Sequence, residues 1–169
     1  MWKAILSPDF FSTILRSATP ILFATLASAI AAKSGICNMA LEGIMLFSAL
    51  FGVIFSSLTH SAWLGLLITM VIGGLIGMIL AFFILNLKTD EILAAIAINL
   101  TATGGTVLIM VAFSGDRGVS SSIRSVSAPT VTLPLIEKIP FIGSVLSGQN
   151  VLTWLAILAV ILLHLFLYK

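Results

Sequence analysis

The chain is 169 residues long, with 60% of them hydrophobic and only 8% charged, where a soluble domain carries roughly a quarter charged residues. Eight basic and six acidic side chains cannot solvate 17.9 kDa of protein, and a mean hydropathy of +1.24 leaves more apolar surface than one core can hide. Lipid is therefore the solvent, and soluble folds, intrinsic disorder, disulfide scaffolds and nucleic-acid modules are excluded.

The fold class predicted is all-α, a polytopic helical membrane protein with about five transmembrane helices in one partial domain over residues 1–169. Charges mark the water-facing breaks, because an ionised side chain at mid-bilayer costs several kcal/mol (roughly 2.5–3.5 on insertion scales) or needs a partner. The first span is placed at 17–33, uncharged between Arg16 and Lys33, with Pro20 in its first turn where no backbone donor is lost. Ala27 to Ala31 offers signal-peptidase-like small residues after an apolar run. Asp9 and the long preceding segment argue against cleavage, so this span reads as an uncleaved anchor.

Between Glu42 and Lys88 lie 45 uncharged residues, enough for two helices and a turn. The turn falls at Ser56, Ser57, Thr59, His60 and Ser61, followed by Trp63 as an interfacial anchor, giving spans at 40–58 and 62–87. A fourth span covers 92–113, for which Thr89 is a fitting N-cap and Asp90 and Glu91 suit the positive end of the helix dipole. Residues 114–150 form a hydrophilic loop with six serines between 114 and 127, cut by Pro129, Pro134 and Pro140; Ile139 to Leu146 is apolar enough to dip into the membrane interface. The last span is placed at 151–168.

Catalytic and metal chemistry have no foothold. His60 and His164 stand apart without a metal-binding spacing, and Cys37 is the lone cysteine. Lys33-Ser34 lacks the glycines of a phosphate loop, and no G-x-S-x-G occurs. No catalytic residue, metal or cofactor is expected.

A few polar residues do not suit a plain anchor. Asn38 and Glu42 sit where a helix start would favour a cap and an acid; alternatively they are pathway or gate residues, the default reading of an ionisable group in a membrane span. Asn99, beside Thr101, Thr103 and Gly104-Gly105, reads either as a buried interhelical hydrogen bond or as a substrate-cavity contact. Gly73 and Gly77 form a G-x-x-x-G that suits close helix packing.

Three ordered strings resemble one family. They are Ala18-Thr19-Pro20-Ile21-Leu22 followed by Gly35-x-x-Asn38-x-x-x-Glu42-Gly43-Ile44-Met45-Leu46; Leu87 to Leu93 running on to Asn99-Leu100; and Ile139-Pro140-Phe141-Ile142-Gly143 with Gly148 to Leu152. Together they are similar to permease subunits of bacterial ABC importers for nucleosides and simple sugars, in the superfamily that includes branched-chain amino acid and ribose permeases. The resemblance implies a multi-pass protein of the bacterial cytoplasmic (inner) membrane that forms part of a substrate translocation pathway. It implies partners as well: ABC ATPase subunits that hydrolyse the ATP, a second permease subunit in a homo- or heterodimer, a substrate-binding lipoprotein and membrane lipid, with no nucleic acid. Members of that family continue into a coupling segment and further spans, so the chain is expected to be an N-terminal fragment.

The resemblance places 114–150 outside and the 88–91 turn and Lys169 in the cytoplasm. Charge placement leans the other way: Lys3, Arg16, Arg117, Arg124 and Lys138 would lie outside, and Lys33, Lys88 and Lys169 inside. The orientation adopted follows the resemblance. Two other functions are compatible with the residues: a structural or assembly membrane protein that associates through its glycine-rich third span, and a small secondary carrier with Glu42 as its proton site.

Overall fold

The computed structural model describes residues 7–36, 38–115, 123–131 and 148–168. The expected interfacial dip at 139–146, the Cys37 position and the terminal Lys169 lie outside the described residues. Among the described residues the elements are five helices and one two-residue strand pair: α1 (Pro8–Lys33), α2 (Leu41–Thr59), α3 (Ala62–Leu85), α4 (Glu91–Ser114), β1 (Thr130–Val131), β2 (Gln149–Asn150) and α5 (Val151–Tyr168). Four helical stretches, Phe10–Lys33, α2, α3 and α4, are long and apolar enough to cross a membrane; the fifth, Val151–Leu167, is shorter. The polytopic all-α expectation therefore describes the fold.

Helix ends follow local chemistry. Ser7 opens α1, its carbonyl accepting the Phe10 N–H at 3.1 Å and its hydroxyl lying 3.4 Å from the same donor. Pro8 follows as the first helical residue, where its missing donor costs nothing. The start is thus earlier than residue 17, and Pro20 sits inside the helix rather than in its first turn. There it cannot donate to the Arg16 carbonyl, so one rung of the ladder is missing. At the other end Gly35, at φ 82°, terminates α1: the Gly35 N–H donates to Ala32 O at 3.1 Å and the Ile36 N–H to Ala31 O at 3.1 Å. This crossed pair is the glycine-terminated C-cap that satisfies carbonyls the helix leaves open.

The α2–α3 connection is shorter than the polar cluster suggested. Ser56, Ser57 and Thr59 remain helical, and only His60, in the left-handed region at φ 51°, and Ser61 link the two helices. Thr59 stays in the helix by donating its hydroxyl to Phe55 O at 2.7 Å. The α3–α4 turn shifts the expected cap by one residue. Asp90, not Thr89, is the N-cap of α4, its carboxylate accepting from Ile92 N at 2.9 Å and Leu93 N at 3.1 Å. Thr89 closes the preceding helix instead, its hydroxyl and amide both donating to Phe83 O at 2.7 and 3.2 Å. An aspartate one step nearer the helix fits the cap geometry, and an acid there also suits the dipole.

The chain forms two compact units, one of residues 1–30 and 128–169, the other of residues 31–127. In the second, a small core of Ala40, Leu80 and Ala95 is backed by Ile44, Ile84, Ala94 and Ile98. Helices α2 and α3 meet along small residues spaced by four on each: Ser48, Gly52 and Ser56 face Gly73, Thr69 and Gly65. A methyl added at Gly65 would lie 2.7 Å from Ser56 Cβ and 3.0 Å from Gly52 O; one at Gly52 would collide with Thr69 Oγ1; one at Gly73 would lie 3.1 Å from Ser48 Oγ. Such absence of side chains lets helix backbones approach where lipid offers no hydrophobic drive to association. The 123–127 segment is tied to the same helix pair by Ser56, whose hydroxyl accepts the Val126 N–H at 3.2 Å and reaches Val126 O at 3.4 Å.

In the first unit, β1 and β2 pair antiparallel with Thr130 opposite Asn150 and Val131 opposite Gln149. The Val151 N–H, the first of α5, donates to Pro129 O at 3.2 Å. Outside these contacts the helices keep apolar side chains exposed, for instance Leu93 at 73%, Leu108 at 73% and Phe166 at 88%. Such surface is tolerable in lipid and not in water.

Candidate functional site

The polar residues singled out from the sequence converge at the N-terminus of α2. Its N-cap position is occupied by Ala40, which has no side-chain oxygen to offer. The first-turn N–H groups of a helix need an acceptor from somewhere. Asn99, from α4, supplies one: its Oδ1 accepts the Gly43 N–H at 2.8 Å, while its Nδ2 donates to Met39 O at 3.0 Å. One amide thus satisfies a donor and an acceptor of a segment 56 and 60 residues away. The geometry depends on Gly43. A methyl there would sit 2.8 Å from Asn99 Oδ1 and 3.1 Å from the Asn99 Cα, and the latter is backbone that cannot rotate aside.

Asn38 turns its side chain onto its own segment, Oδ1 accepting the Ala40 N–H at 3.1 Å. This is the two-residue turn that asparagine favours, and it shapes the approach to α2 rather than capping the helix. Glu42 lies in the first turn of α2 and is exposed. It stands next to the glycine that Asn99 grips. The structure therefore brings Asn38, Glu42 and Asn99 to one joint of the second unit.

Further along α4, Thr101, Thr103 and Thr106 donate their hydroxyls to the carbonyls four residues back, at 2.7, 2.8 and 2.7 Å. Such back-bonding keeps hydroxyls satisfied in lipid and bends helices. Gly105 admits Phe47 of α2, whose ring would lie 3.2 Å from an added methyl, whereas Gly104 has nothing within 4 Å. Of the glycine pair on α3, Gly73 lies at the α2 contact and Gly77 has open space around it. The spacing of four in use on α3 runs Gly65, Thr69, Gly73.

A second polar joint, in the first unit, was not anticipated from the sequence. Gln149 is 1% exposed; its Oε1 accepts from Arg16 Nε at 3.3 Å and its Nε2 lies 3.4 Å from Ser12 O. Arg16 Nη2 also donates to Gly148 O at 3.0 Å. Below it Thr19 and Thr153, both buried, join hydroxyls at 3.1 Å, and the Thr19 Oγ1 donates to Leu15 O at 2.8 Å. The signal available in sequence was slight: Arg16 as the charge just before an uncharged run, and Gln149 as a long amide just before the last span. Among the described residues, Ser48 Oγ, Asn150 Oδ1 and Trp154 Nε1 are buried without a hydrogen-bond partner. Also among the described residues, no group of three or more His, Cys, Asp or Glu side chains is placed to hold a metal ion.

Residues 10–169 match the family model described as branched-chain amino acid transport system / permease component. A protein of Haloferax volcanii named putative glucose ABC transporter permease protein TsgC13 is 29% identical over 159 residues, covering 92% of this chain and 46% of that relative. The nucleoside ABC transporter permease protein NupC of Lactococcus lactis is 29% identical over 167 residues, covering 94% of this chain and 51% of the relative. The guanosine ABC transporter permease protein NupQ of Bacillus subtilis is 28% identical over 134 residues, covering 76% of this chain and 41% of the relative. No solved structure matches the chain. The chain spans about half the length of the curated relatives it matches. With matching sequence over almost its whole length and, among the described residues, four helices fit to cross a bilayer, the chain belongs to the family of branched-chain amino acid transport system permease components, as a multi-pass protein of the cytoplasmic membrane.

Proposed function

We infer that the chain forms part of the translocation pathway of an ATP-driven importer for nucleosides or simple sugars. The observation that carries this reading is the family match over residues 10–169, joined by relatives whose names specify glucose, nucleoside and guanosine permeases. In this reading the chain is not itself an enzyme. ATP is hydrolysed by separate ABC ATPase subunits, a second permease subunit completes the pathway, and a substrate-binding lipoprotein delivers the cargo. The spans are those placed at 17–33, 40–58, 62–87, 92–113 and 151–168 within one partial domain, with 114–150 extracytoplasmic.

Asn38, Glu42 and Asn99 are the gate or pathway residues of this reading. The supporting physics is local: a hydrogen-bonded joint between two membrane helices, with an acid beside it, is where a modest change of helix position exchanges many polar contacts at once. Gly73 serves packing against α2, and Gly77, which is open within this chain, is the packing position left for another chain.

The test is uptake of radiolabelled guanosine and glucose by the native host cells with the candidate ABC ATPase gene intact or deleted. Uptake that requires the ATPase and survives collapse of the proton gradient is expected. Uptake that ignores ATPase deletion, yet is abolished by Glu42→Gln and by collapsing the gradient, would replace this reading with a proton-coupled carrier.

A further inference from the structure

The unanticipated joint around Arg16 holds a charge that no acidic side chain among the described residues neutralises. A guanidinium has five N–H donors arranged as two parallel forks. The Nε/Nη2 fork is taken up by Gln149 Oε1 at 3.3 Å and Gly148 O at 3.0 Å. Both acceptors are neutral, so the positive charge stays whole. The other fork, Nη1 with the second Nη2 hydrogen, has no partner among the described residues, and no carboxylate among them pairs with Arg16. The side chain is nevertheless held in place. Gln149 is buried at 1% exposure and is itself fixed on Ser12 O, and Gly148 reaches its position with a φ of 76°. The result is an exposed arginine with one fork anchored and the other presented.

Its depth is set by the sequence. Arg16 immediately precedes the uncharged run 17–32 of α1, which ends at Lys33; sixteen helical residues span about 24 Å, close to a hydrocarbon core of roughly 30 Å. Arg16 therefore sits toward one end of the membrane-spanning stretch Phe10–Lys33, where a long side chain can snorkel to the lipid phosphates.

The geometry points to a phosphate-binding site at Arg16 that takes the headgroup of an anionic membrane lipid. A tetrahedral oxyanion accepts two parallel N–H bonds from the open fork, a pairing for which arginine is suited and lysine is not. The phosphate supplies the countercharge that Gln149 and Gly148 do not. The site is independent of what the protein transports.

Native mass spectrometry of the full chain, purified in mild detergent and offered phosphatidylglycerol and phosphatidylcholine in equal amounts, tests this. The wild-type chain retains phosphatidylglycerol about fivefold over phosphatidylcholine, the effect of about one well-placed cation at an anionic surface. Arg16→Gln abolishes the preference. Arg16→Lys and Gln149→Leu, which keep a charge but lose the anchored fork, lower it to about twofold. Far-UV circular dichroism confirms that each variant keeps its helices, and Arg16→Lys carries the test if Arg16→Gln does not fold. An undiminished preference in Arg16→Gln or in Arg16→Lys overturns the proposal. Displacement of the lipid by millimolar inorganic phosphate overturns the lipid assignment and gives the site to a soluble oxyanion.

Discussion

Both units are knitted by a carboxamide, yet Asn99 and Gln149 do different work. Asn99 bonds to backbone on both sides, to Gly43 N and Met39 O, and a glycine removes the side chain that would hold the two helices apart. Gln149 bonds one side chain and one carbonyl, Arg16 and Ser12, and its neighbours are hydroxyls, Thr19 and Thr153. The first joint is built by subtraction and has no slack. The second is built by addition, and its arginine is exposed, so water or a headgroup can replace what the amide gives. Removal of the two amides thus has unequal consequences: a group orphaned away from water costs its full desolvation penalty, and one that water can reach does not.

Four substitutions test that contrast. Gly43→Ala is expected to have the largest effect, a loss of about 2–3 kcal/mol, because the added methyl meets Asn99 backbone and overpacking of this kind strains both helices. Unfolding of the purified chain in increasing sodium dodecyl sulfate, followed by helical circular dichroism, measures it; a loss under about 0.5 kcal/mol would mean the joint has slack after all. Asn99→Leu comes next, at about 1–2 kcal/mol, since it strands the Gly43 N–H and the Met39 carbonyl together.

Gln149→Leu should cost less in the same assay, about 0.5–1 kcal/mol, because Arg16 keeps Gly148 O and access to water. A loss equal to that of Asn99→Leu would erase the distinction between the two joints. Smallest is Gly77→Ala, within about 0.5 kcal/mol of wild type and on the stabilising side by helix propensity, since nothing lies within 4 Å of the added methyl. A marked loss of self-association in that variant, read by analytical ultracentrifugation, would instead place Gly77 at a contact between chains.

Much of the fold was legible in the residues. Uncharged runs between Arg16, Lys33, Glu42, Lys88 and the serine-rich segment located the helices, since a bilayer charges heavily for every ion. Caps were legible to within a residue: the turn before α4 was recognised, but Asp90 rather than Thr89 holds the N–H groups, because the choice depends on which residue takes the extended conformation next to the helix. The α1 start was missed. Arg16 was read as a boundary, whereas Ser7 and Pro8 begin the helix earlier and the arginine sits within it.

The candidate site was half legible. Asn99 and the Asn38 to Gly43 segment stood out as polar residues in apolar runs, and interhelical hydrogen bonding was one of the two readings weighed for Asn99. Nothing in the chain order linked Asn99 to Gly43. Gln149 gave even less signal, a long polar side chain at a span boundary being ordinary until its burial is seen.

What the sequence alone determined was the solvent, the helical class and the approximate places where the chain meets water, because each depends on the composition of a segment taken by itself. The tertiary structure decided which small residues face each other, that Gly73 is used in a contact where Gly77 is open, and which backbone groups Asn99 and Gln149 reach. Those outcomes depend on the rotation and register of two helices at once. In lipid, where one apolar face is as good as another, only close packing and polar pairing select among the possibilities.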